Sequence, residues 1–202
     1  MKKLTLLFLL IPFISLSQEE VQKVEVIKSD AQIEAFTSSL GDRELRVDFL
    51  DLLVFPAISV GYEKINNSSS GFGTTLFLNL ANSDTNIEWN DKFALTPFYR
   101  FYFLKSEDFG GYGIFAEIFS KFHFGKADKI QDSGEAISES FFDIAPGLAV
   151  GRKWINRNGF TFELYFGVGR NLLYKSDDNG SPFFPQRSSG LVRGGVSVGK
   201  RF

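Results

Sequence analysis

Strict alternation of apolar and polar residues is the feature of this chain that most limits its fold. Between residues 160 and 168 every second residue is apolar, mostly phenylalanine, and the residues between them are polar, small or charged. The same pattern runs through 92–104 and 112–124. Because successive side chains of a β-strand point to opposite faces, this alternation indicates strands with one apolar and one polar face. Helical spacing is nearly absent, so we expect an all-β chain.

Eight segments share this alternation. They cover residues 44–54, 56–65, 71–80, 92–104, 112–124, 139–154, 159–173 and 190–202. Most are long enough to cross a bilayer at a tilt, which takes about 9–11 residues. The sequence therefore predicts an eight-stranded antiparallel up-and-down transmembrane β-barrel with its apolar face toward lipid. Aromatic residues near the strand ends, Tyr102, Tyr112, Trp154 and Tyr174, fit the two interfacial girdles of such a barrel.

The connections between these segments alternate in length. After the second, fourth and sixth segments they are short, and after the third, fifth and seventh they are long and polar, covering 81–91, 125–138 and 174–189. Outer-membrane barrels with both termini in the periplasm show this parity of short periplasmic turns and long outer loops. The first outer connection, around Phe55 and Pro56, is the exception because it is very short.

The two ends of the chain carry targeting patterns. Residues 1–17 have a basic start, a short apolar run and the small residues Ser15 and Ser17, which are typical of a signal peptide cleaved after Ser17. We therefore expect a signal peptide at 1–17, a polar periplasmic segment at 18–43 and the barrel at 44–202. The aromatic Phe202 on the last amphipathic strand resembles the sorting signal that the barrel assembly machinery reads.

Composition excludes several functions. The chain contains 24 Phe and 19 Gly but no cysteine, which excludes disulfides, cysteine-ligated metals and thiol chemistry. The formal net charge is −2 with basic and acidic residues interspersed, so no nucleic-acid partner is expected. The glycine-rich pieces 110–113 and 167–169 do not precede helices and form no phosphate cradle. We expect these glycines to make room for large neighbours, and we expect no cofactor.

Two prolines fall inside the expected strands. Pro97 and Pro146 each remove a hydrogen bond from the ladder. We therefore expect a β-bulge or a shortened strand at each of them.

The polar face of the expected strands carries the candidate site. Its charged residues are Asp48, Glu63, Arg100, Glu117, Lys121, Asp143, Glu163, Arg193 and Arg201. The turn after the fourth segment brings Arg100 and Glu117 opposite each other on neighbouring strands. Because eight strands enclose an interior just wide enough for side chains, we expect these charges to fill the lumen without an open channel. The alternative is a narrow ion path or a gated pore.

His123 is the single histidine, and its parity directs it inward near the outer end of the fifth segment. Ser138, Ser140 and Asp143 lie just across the next loop. Some eight-stranded outer-membrane barrels are lipid-modifying enzymes with a histidine, a serine and an acidic residue near this surface. No local nucleophile motif accompanies these residues, so we expect no enzymatic activity, with lipid modification as the alternative.

The stretch from Val47 to Glu63 reads as a strand, a tight Pro-containing link and a strand with the sequence Gly-Tyr-Glu. It resembles the opening of small barrel families of the Bacteroidetes phylum, including a DUF3575-type domain of unknown function. The resemblance implies an outer-membrane barrel that extends over most of 44–202, and it brings no catalytic residues.

These patterns together predict a non-enzymatic outer-membrane barrel with a structural, scaffolding or surface-interaction role. The expected partners are membrane lipid, the barrel assembly machinery during biogenesis, and a protein contacted through the outer loops or residues 18–43. The alternative is a soluble periplasmic barrel that holds an apolar ligand. The two hypotheses differ in whether Phe101, Phe162 and Phe166 face lipid or an internal cavity.

Overall fold

The structure, a computed structural model, is a closed all-β barrel of eight antiparallel strands in up-and-down order, which confirms the expected number, direction and order of the strands. The described residues are 40–54, 56–80, 91–103, 110–130, 136–173 and 189–202. The expected signal peptide 1–17 lies outside these ranges, as does most of 18–43. Among the described residues, no helix is long and apolar enough to cross a membrane.

Each strand pairs with the next one along the chain, and the last strand closes on the first. The strands are β1 Arg43–Asp48, β2 Ala57–Asn67, β3 Ser70–Asn79, β4 Asp91–Phe103, β5 Gly113–Ile130, β6 Ala136–Ile155, β7 Phe160–Arg170 and β8 Gly190–Arg201. One short helix, α1 (Phe49–Val54), lies between β1 and β2. We call the end of the barrel that carries this helix the α1 end.

The expected first strand, 44–54, is wrong beyond Asp48, where the chain turns into α1. Oδ1 of Asp48 accepts a hydrogen bond from the backbone N–H of Leu50 at 2.9 Å, which caps the first turn of the helix. The leucine-rich residues that follow favour a helix once it has been capped. The connection around Pro56 therefore contains a helical turn, in place of the very short link that the alternation suggested.

The expected loop 125–138 is largely wrong, because β5 and β6 continue through most of it. Their register runs without a shift to the pair Ile130↔Ala136. The pairing of β5 with β4 stops at Gly125. At a rise of about 3.4 Å per residue, the hairpin extends roughly 17 Å past the point where β4 ends. Backbone pairing between β5 and β6 forms this extension of the hairpin. The sequence shows no apolar alternation there from which the extension could have been predicted.

Pro97 and Pro146 do not shift the register of the strands in which they lie. The register of β4 with β5 is the same before and after Pro97, although the ladder skips that residue. Pro146 lies one residue before the first pair of β6 with β7. The expected bulge or shortening is therefore wrong at both, because each strand continues on its other neighbour. The two register shifts lie elsewhere, at the end of β2 and at the start of β4.

The two faces of the barrel are inverted relative to those of a soluble protein. Phe101, Phe162 and Phe166 point outward and are 48%, 40% and 57% exposed, whereas Arg100 and Glu117 are buried in the lumen. Apolar side chains with more than a third of their surface exposed occur on every strand. The apolar parity of each strand thus forms an outward belt, and the polar parity forms the core.

Three phenylalanines of the inward parity pack inside the barrel, where glycines on neighbouring strands leave room for their rings. Phe98, Phe115 and Phe119 are buried in the lumen. A Cβ atom on Gly151, the register partner of Phe115, would lie 2.5 Å from the Cζ atom of that ring. The core is therefore built from aromatic rings, small residues and charges.

Candidate functional site

Eight charged side chains fill the middle of the lumen, and we call them the charge network. They come from every strand except β3, each at an inward position, and they are Glu44, Arg46, Glu63, Arg100, Glu117, Lys153, Glu163 and Arg193. Four cations face four carboxylates, so the network has no formal net charge. Buried charges are tolerated when they are paired and hydrogen-bonded in this way.

Arg100 lies at the centre of the charge network. Its Nε atom is 2.7 Å from Oε2 of Glu117. Its Nη1 and Nη2 atoms donate to the two oxygens of Glu163 at 2.6 and 2.8 Å, and Nη1 is also 3.0 Å from Oε2 of Glu63. The guanidinium carbon is 4.1 Å from the ring centroid of Phe115. The planar fork of arginine suits two carboxylates at once, and the aromatic face adds a cation–π contact.

Lys153 occupies the centre of a carboxylate cluster that could otherwise hold a metal ion. The carboxylates of Glu44, Glu63 and Glu163 lie close enough together for shared coordination. The Nζ atom of Lys153 is 3.0 Å from Oε1 of Glu44, 2.7 Å from Oε2 of Glu63 and 3.5 Å from Oε2 of Glu163. The ammonium group thus already supplies the positive charge that a metal would bring.

The sequence analysis missed four members of this site. Glu44 and Arg46 precede Asp48 in steps of two, and Lys153 shares the parity of Asp143, so parity alone could have placed all three inside. Tyr102, expected in a surface girdle, is buried in the lumen and donates a hydrogen bond to Oε1 of Glu63 at 2.5 Å. Its parity with Arg100 was the signal for this position.

Four of the expected site residues face inward but lie outside the charge network. Asp48 is one of them, and its carboxylate caps α1. Nζ of Lys121 contacts Oδ2 of Asp91 at 2.5 Å, toward the α1 end. Oδ1 of Asp143 accepts a hydrogen bond from the backbone N–H of Leu173 at 2.8 Å. Arg201 donates to backbone carbonyls at the opposite end of the barrel. The inward charges thus form one central network with separate contacts at each end.

His123 is held by two side chains through its two ring nitrogens. Nδ1 is 2.6 Å from Oδ1 of Asp91, and Nε2 is 3.2 Å from Oδ1 of Asn171. The ring also packs edge-on against Phe141, with 5.7 Å between centroids. These contacts fix the orientation of the imidazole inside the barrel.

Only part of the expected histidine constellation is brought together. Asp143 is the direct register partner of His123 across β5 and β6. Ser140 is exposed and pairs in register with Lys126, and the side chain of Ser138 lies outside the described part. In this geometry the described contacts of the imidazole are with a carboxylate and an amide, and none of them is with a serine hydroxyl.

Phe202 lies beside the start of β1. Its backbone N–H donates to the carbonyl of Arg43 at 2.8 Å, and the N–H of Arg43 donates back at 3.2 Å. The ring is exposed. The role of this residue as a sorting signal stays a prediction.

A cavity of about 290 Å³ lies between the charge network and the α1 end, and we call it the vestibule. Its polar lining includes Thr75 and Thr96 together with Asp51, Ser59, Lys121, Tyr165 and Arg193. The hydroxyl of Ser59 donates to Oδ2 of Asp51, which ties α1 to the wall of β2. Arg193 belongs to both features, so the vestibule ends on the charge network.

Comparisons with protein-family models, with curated proteins and with solved structures found no significant match. The resemblance to Bacteroidetes barrel families stays a prediction. The functional argument therefore depends on the geometry of the barrel itself.

Proposed function

We propose that this chain is a Gram-negative outer-membrane barrel, closed to solutes, that serves as a membrane anchor and interaction platform. The observation that carries the proposal is the inverted barrel: an exposed apolar belt around a lumen filled with paired charges. Apolar surface in water costs about 25 cal/mol per Å², and in lipid this cost disappears. A closed ladder also leaves no unpaired backbone along most of the wall, as hydrocarbon requires.

Aromatic contacts near both ends of the belt support a membrane position. At the α1 end the ring of Phe124 packs on Phe93 and Phe142, with centroids 6.1 and 4.6 Å apart. At the opposite end the ring of Trp154 packs on Phe162 at 5.5 Å. Transmembrane barrels carry such aromatic girdles at the two interfaces.

The soluble alternative has less support. It requires an apolar interior that encloses a ligand, but the middle of the lumen holds Arg100, Lys153 and Glu163 with no exposed surface or almost none. It also requires a polar exterior, whereas the outward face carries exposed large hydrophobic side chains on every strand. The inverted faces therefore favour lipid outside over an apolar ligand inside.

The β5–β6 hairpin is the described part of the proposed recognition surface. Its pairs from Lys126↔Ser140 to Ile130↔Ala136 stand beyond the rim of the neighbouring strand β4. The outer connections 81–91 and 174–189 lie almost entirely outside the described residues. Surface segments held by a rigid scaffold commonly carry binding functions, so this end is where we place a partner protein.

The test is cell fractionation followed by electrophoresis of boiled and unboiled membrane samples. The proposal expects the protein in the outer membrane, with faster migration of the unboiled, folded barrel. The signal-peptide pattern of residues 1–17 adds the expectation that the mature protein is shorter than the translated chain. Recovery in the soluble periplasmic fraction, with no mobility difference, would contradict the proposal and favour the ligand-binding alternative.

A further inference from the structure

The seam between β1 and β8 is closed along only part of β8. β1 has six residues and β8 has twelve, and their pairing runs from Glu44↔Arg201 to Asp48↔Ser197. From that pair toward the α1 end, within the described part of the chain, β8 lies beside α1 in place of a strand. Oδ1 of Asp48 reaches across to the backbone N–H of Val196 at 3.4 Å. In hydrocarbon, the unpaired backbone groups of an open strand edge cost free energy. We therefore expect the barrel wall to be least stable at this gap.

The vestibule passes through the barrel wall at this gap. Arg193 points into the lumen, whereas its two neighbours on β8, Val192 and Gly194, have the outward parity, and all three line the same cavity. Phe166, on the outward face of β7, lines it as well. Because three residues of outward parity line the cavity together with Arg193, beside the edge of β8 that has no strand partner here, we infer that the cavity opens at this edge. The vestibule is therefore continuous with the outward apolar belt.

The two parts of this cavity differ in chemistry. In the lumen the cavity ends at Lys121 and Arg193. The side chains of these two cations are 13% and 12% exposed, whereas those of Arg100 and Lys153 are fully buried. Toward the outside it is bounded by Phe166, Val192 and, from α1, Leu50. Lys121 is paired with Asp91 and Arg193 with Glu117, and Asp51 of α1 also lines the cavity. The partly exposed sides of the two cations, next to an apolar outer end, suit a molecule with an anionic head and a hydrocarbon chain.

We propose that the gap between α1 and β8 is a lateral portal that binds a single-chain anionic amphiphile, a fatty acid, drawn from the surrounding bilayer. Its carboxylate lies between Lys121 and Arg193, and its chain leaves the barrel over Phe166 and Val192. The volume of about 290 Å³ is close to the lower end of small-molecule pockets, which suits a head group and the first part of a chain. The proposal rests on the proposed function, because the ligand arrives from lipid.

The test uses the full barrel in lipid vesicles that contain palmitic acid with a photoreactive diazirine near its carboxylate. After illumination, mass spectrometry locates the labelled residues. The portal predicts labels on the lumen-facing residues Thr96, Lys121 and Tyr165 in addition to the outward belt. The methyl ester of the same probe lacks the negative charge and should label these residues about tenfold less.

A matched pair of variants tests the route of entry. Gly194→Trp places an indole at the mouth of the gap, where a Cβ atom meets nothing closer than 3.3 Å, and should reduce lumen labelling about tenfold. Val168 is exposed and pairs in register with Val192, but Val168 does not line the cavity. Val168→Trp should therefore leave lumen labelling unchanged. The folded mobility of both variants is checked on the same gels.

The outcomes separate the two proposals. Labels on the outward belt together with lumen labels that Gly194→Trp removes would support the portal. Labels on the outward belt alone, or lumen labels equal in both variants, would overturn the portal while leaving the membrane barrel intact. Absence of labels from the belt as well would contradict the membrane proposal itself.

Discussion

Arg100 and Glu117 face each other directly across β4 and β5, with Nε of the arginine 2.7 Å from Oε2 of the glutamate. The other oxygen of Glu117 accepts a hydrogen bond from Nη1 of Arg193 at 2.8 Å. One carboxylate therefore joins the centre of the charge network to the cation at the floor of the vestibule. Because Arg100 also holds Glu63 and Glu163, its loss would leave three buried carboxylates short of a partner.

The first prediction concerns the removal of Arg100. Breaking a buried ion pair by truncating one partner typically costs about 3–5 kcal/mol, because the remaining charge is left uncompensated. We expect Arg100→Ala to lower the free energy of unfolding by at least this amount. The measurement is urea unfolding of the protein in lipid vesicles.

The matched control is Arg152→Ala. Arg152 is exposed on the outward face, and its guanidinium carbon is 5.1 Å from the ring of Trp154. An exposed cation–π contact is worth about 0.5–1 kcal/mol, so the control should lose much less stability. Equal unfolding curves for the Arg100→Ala variant and the unaltered protein would show that the charge network does not stabilise the barrel.

The second prediction tests the close approach of Gly151 to Phe115. A Cβ atom at Gly151 would lie 2.5 Å from the ring and would also crowd the backbone of β7. Gly151→Ala should therefore destabilise the barrel by about 1–3 kcal/mol, the usual cost of overpacking. Gly194→Ala is the control and should cost less, because a Cβ atom there would meet nothing closer than 3.3 Å. If both alanine variants unfold at the same urea concentration, steric room is not the reason for glycine at 151.

The third prediction concerns His123. Both of its ring nitrogens contact other lumen side chains, and the described geometry places no serine hydroxyl on the ring. We expect His123→Ala to leave the acylation pattern of lipid A unchanged when mass spectrometry compares cells that express the variant and the unaltered protein. A changed pattern would instead support the alternative hypothesis of a lipid-modifying enzyme.

The fourth prediction concerns conduction. Buried arginine, lysine and phenylalanine side chains fill the lumen at the level of Arg100 and Phe115. The interior of an eight-stranded barrel is narrow enough for its own side chains to close it at this level. We expect no steady single-channel current when the purified barrel is inserted into a planar lipid bilayer, while an open porin in the same bilayer conducts. Stable current steps would favour the narrow-pore alternative.

Sequence alternation predicts most of the barrel because a strand has a side-chain period of two. Parity places Arg100 inside and Phe166 outside without any knowledge of the partner strands. It fails where local chemistry replaces the pattern: Asp48 caps a helix whose leucines continue an apolar run, and the β5–β6 hairpin continues where the sequence has no apolar alternation. Alternation also cannot show that β1 ends halfway along β8, since strand length depends on that cap.

The site was harder to predict than the fold, because parity gives direction but not distance. It could place Glu117 and Lys121 on one face of β5, yet it could not show that Lys121 belongs to Asp91, near the α1 end. Contacts between distant strands, such as Lys153 with Glu44, depend on how the closed barrel staggers its strands. That stagger follows from the register of every pair around the barrel and cannot be read from one strand alone.

The last prediction uses charge balance within the network. Lys153→Met leaves Glu44 and Glu63 without their shared ammonium group and should destabilise the barrel strongly, by about 3–5 kcal/mol. Adding Glu44→Gln restores the formal balance of the network, so the double variant should be more stable than the sum of the single changes implies. The expected coupling energy is about 0.5–3 kcal/mol.

The control cycle for this coupling combines Lys153→Met with Glu117→Gln. Both residues belong to the charge network, but the ion pairs of Glu117 are with Arg100 and Arg193. The effects of Lys153→Met and Glu117→Gln on the free energy of unfolding should be closer to additive than the effects of Lys153→Met and Glu44→Gln. Any remaining coupling would come from the indirect link through Arg100. Equal coupling in both cycles would mean that the lumen responds to its total charge, whereas a larger value for Glu44 would show that individual contacts hold the barrel together.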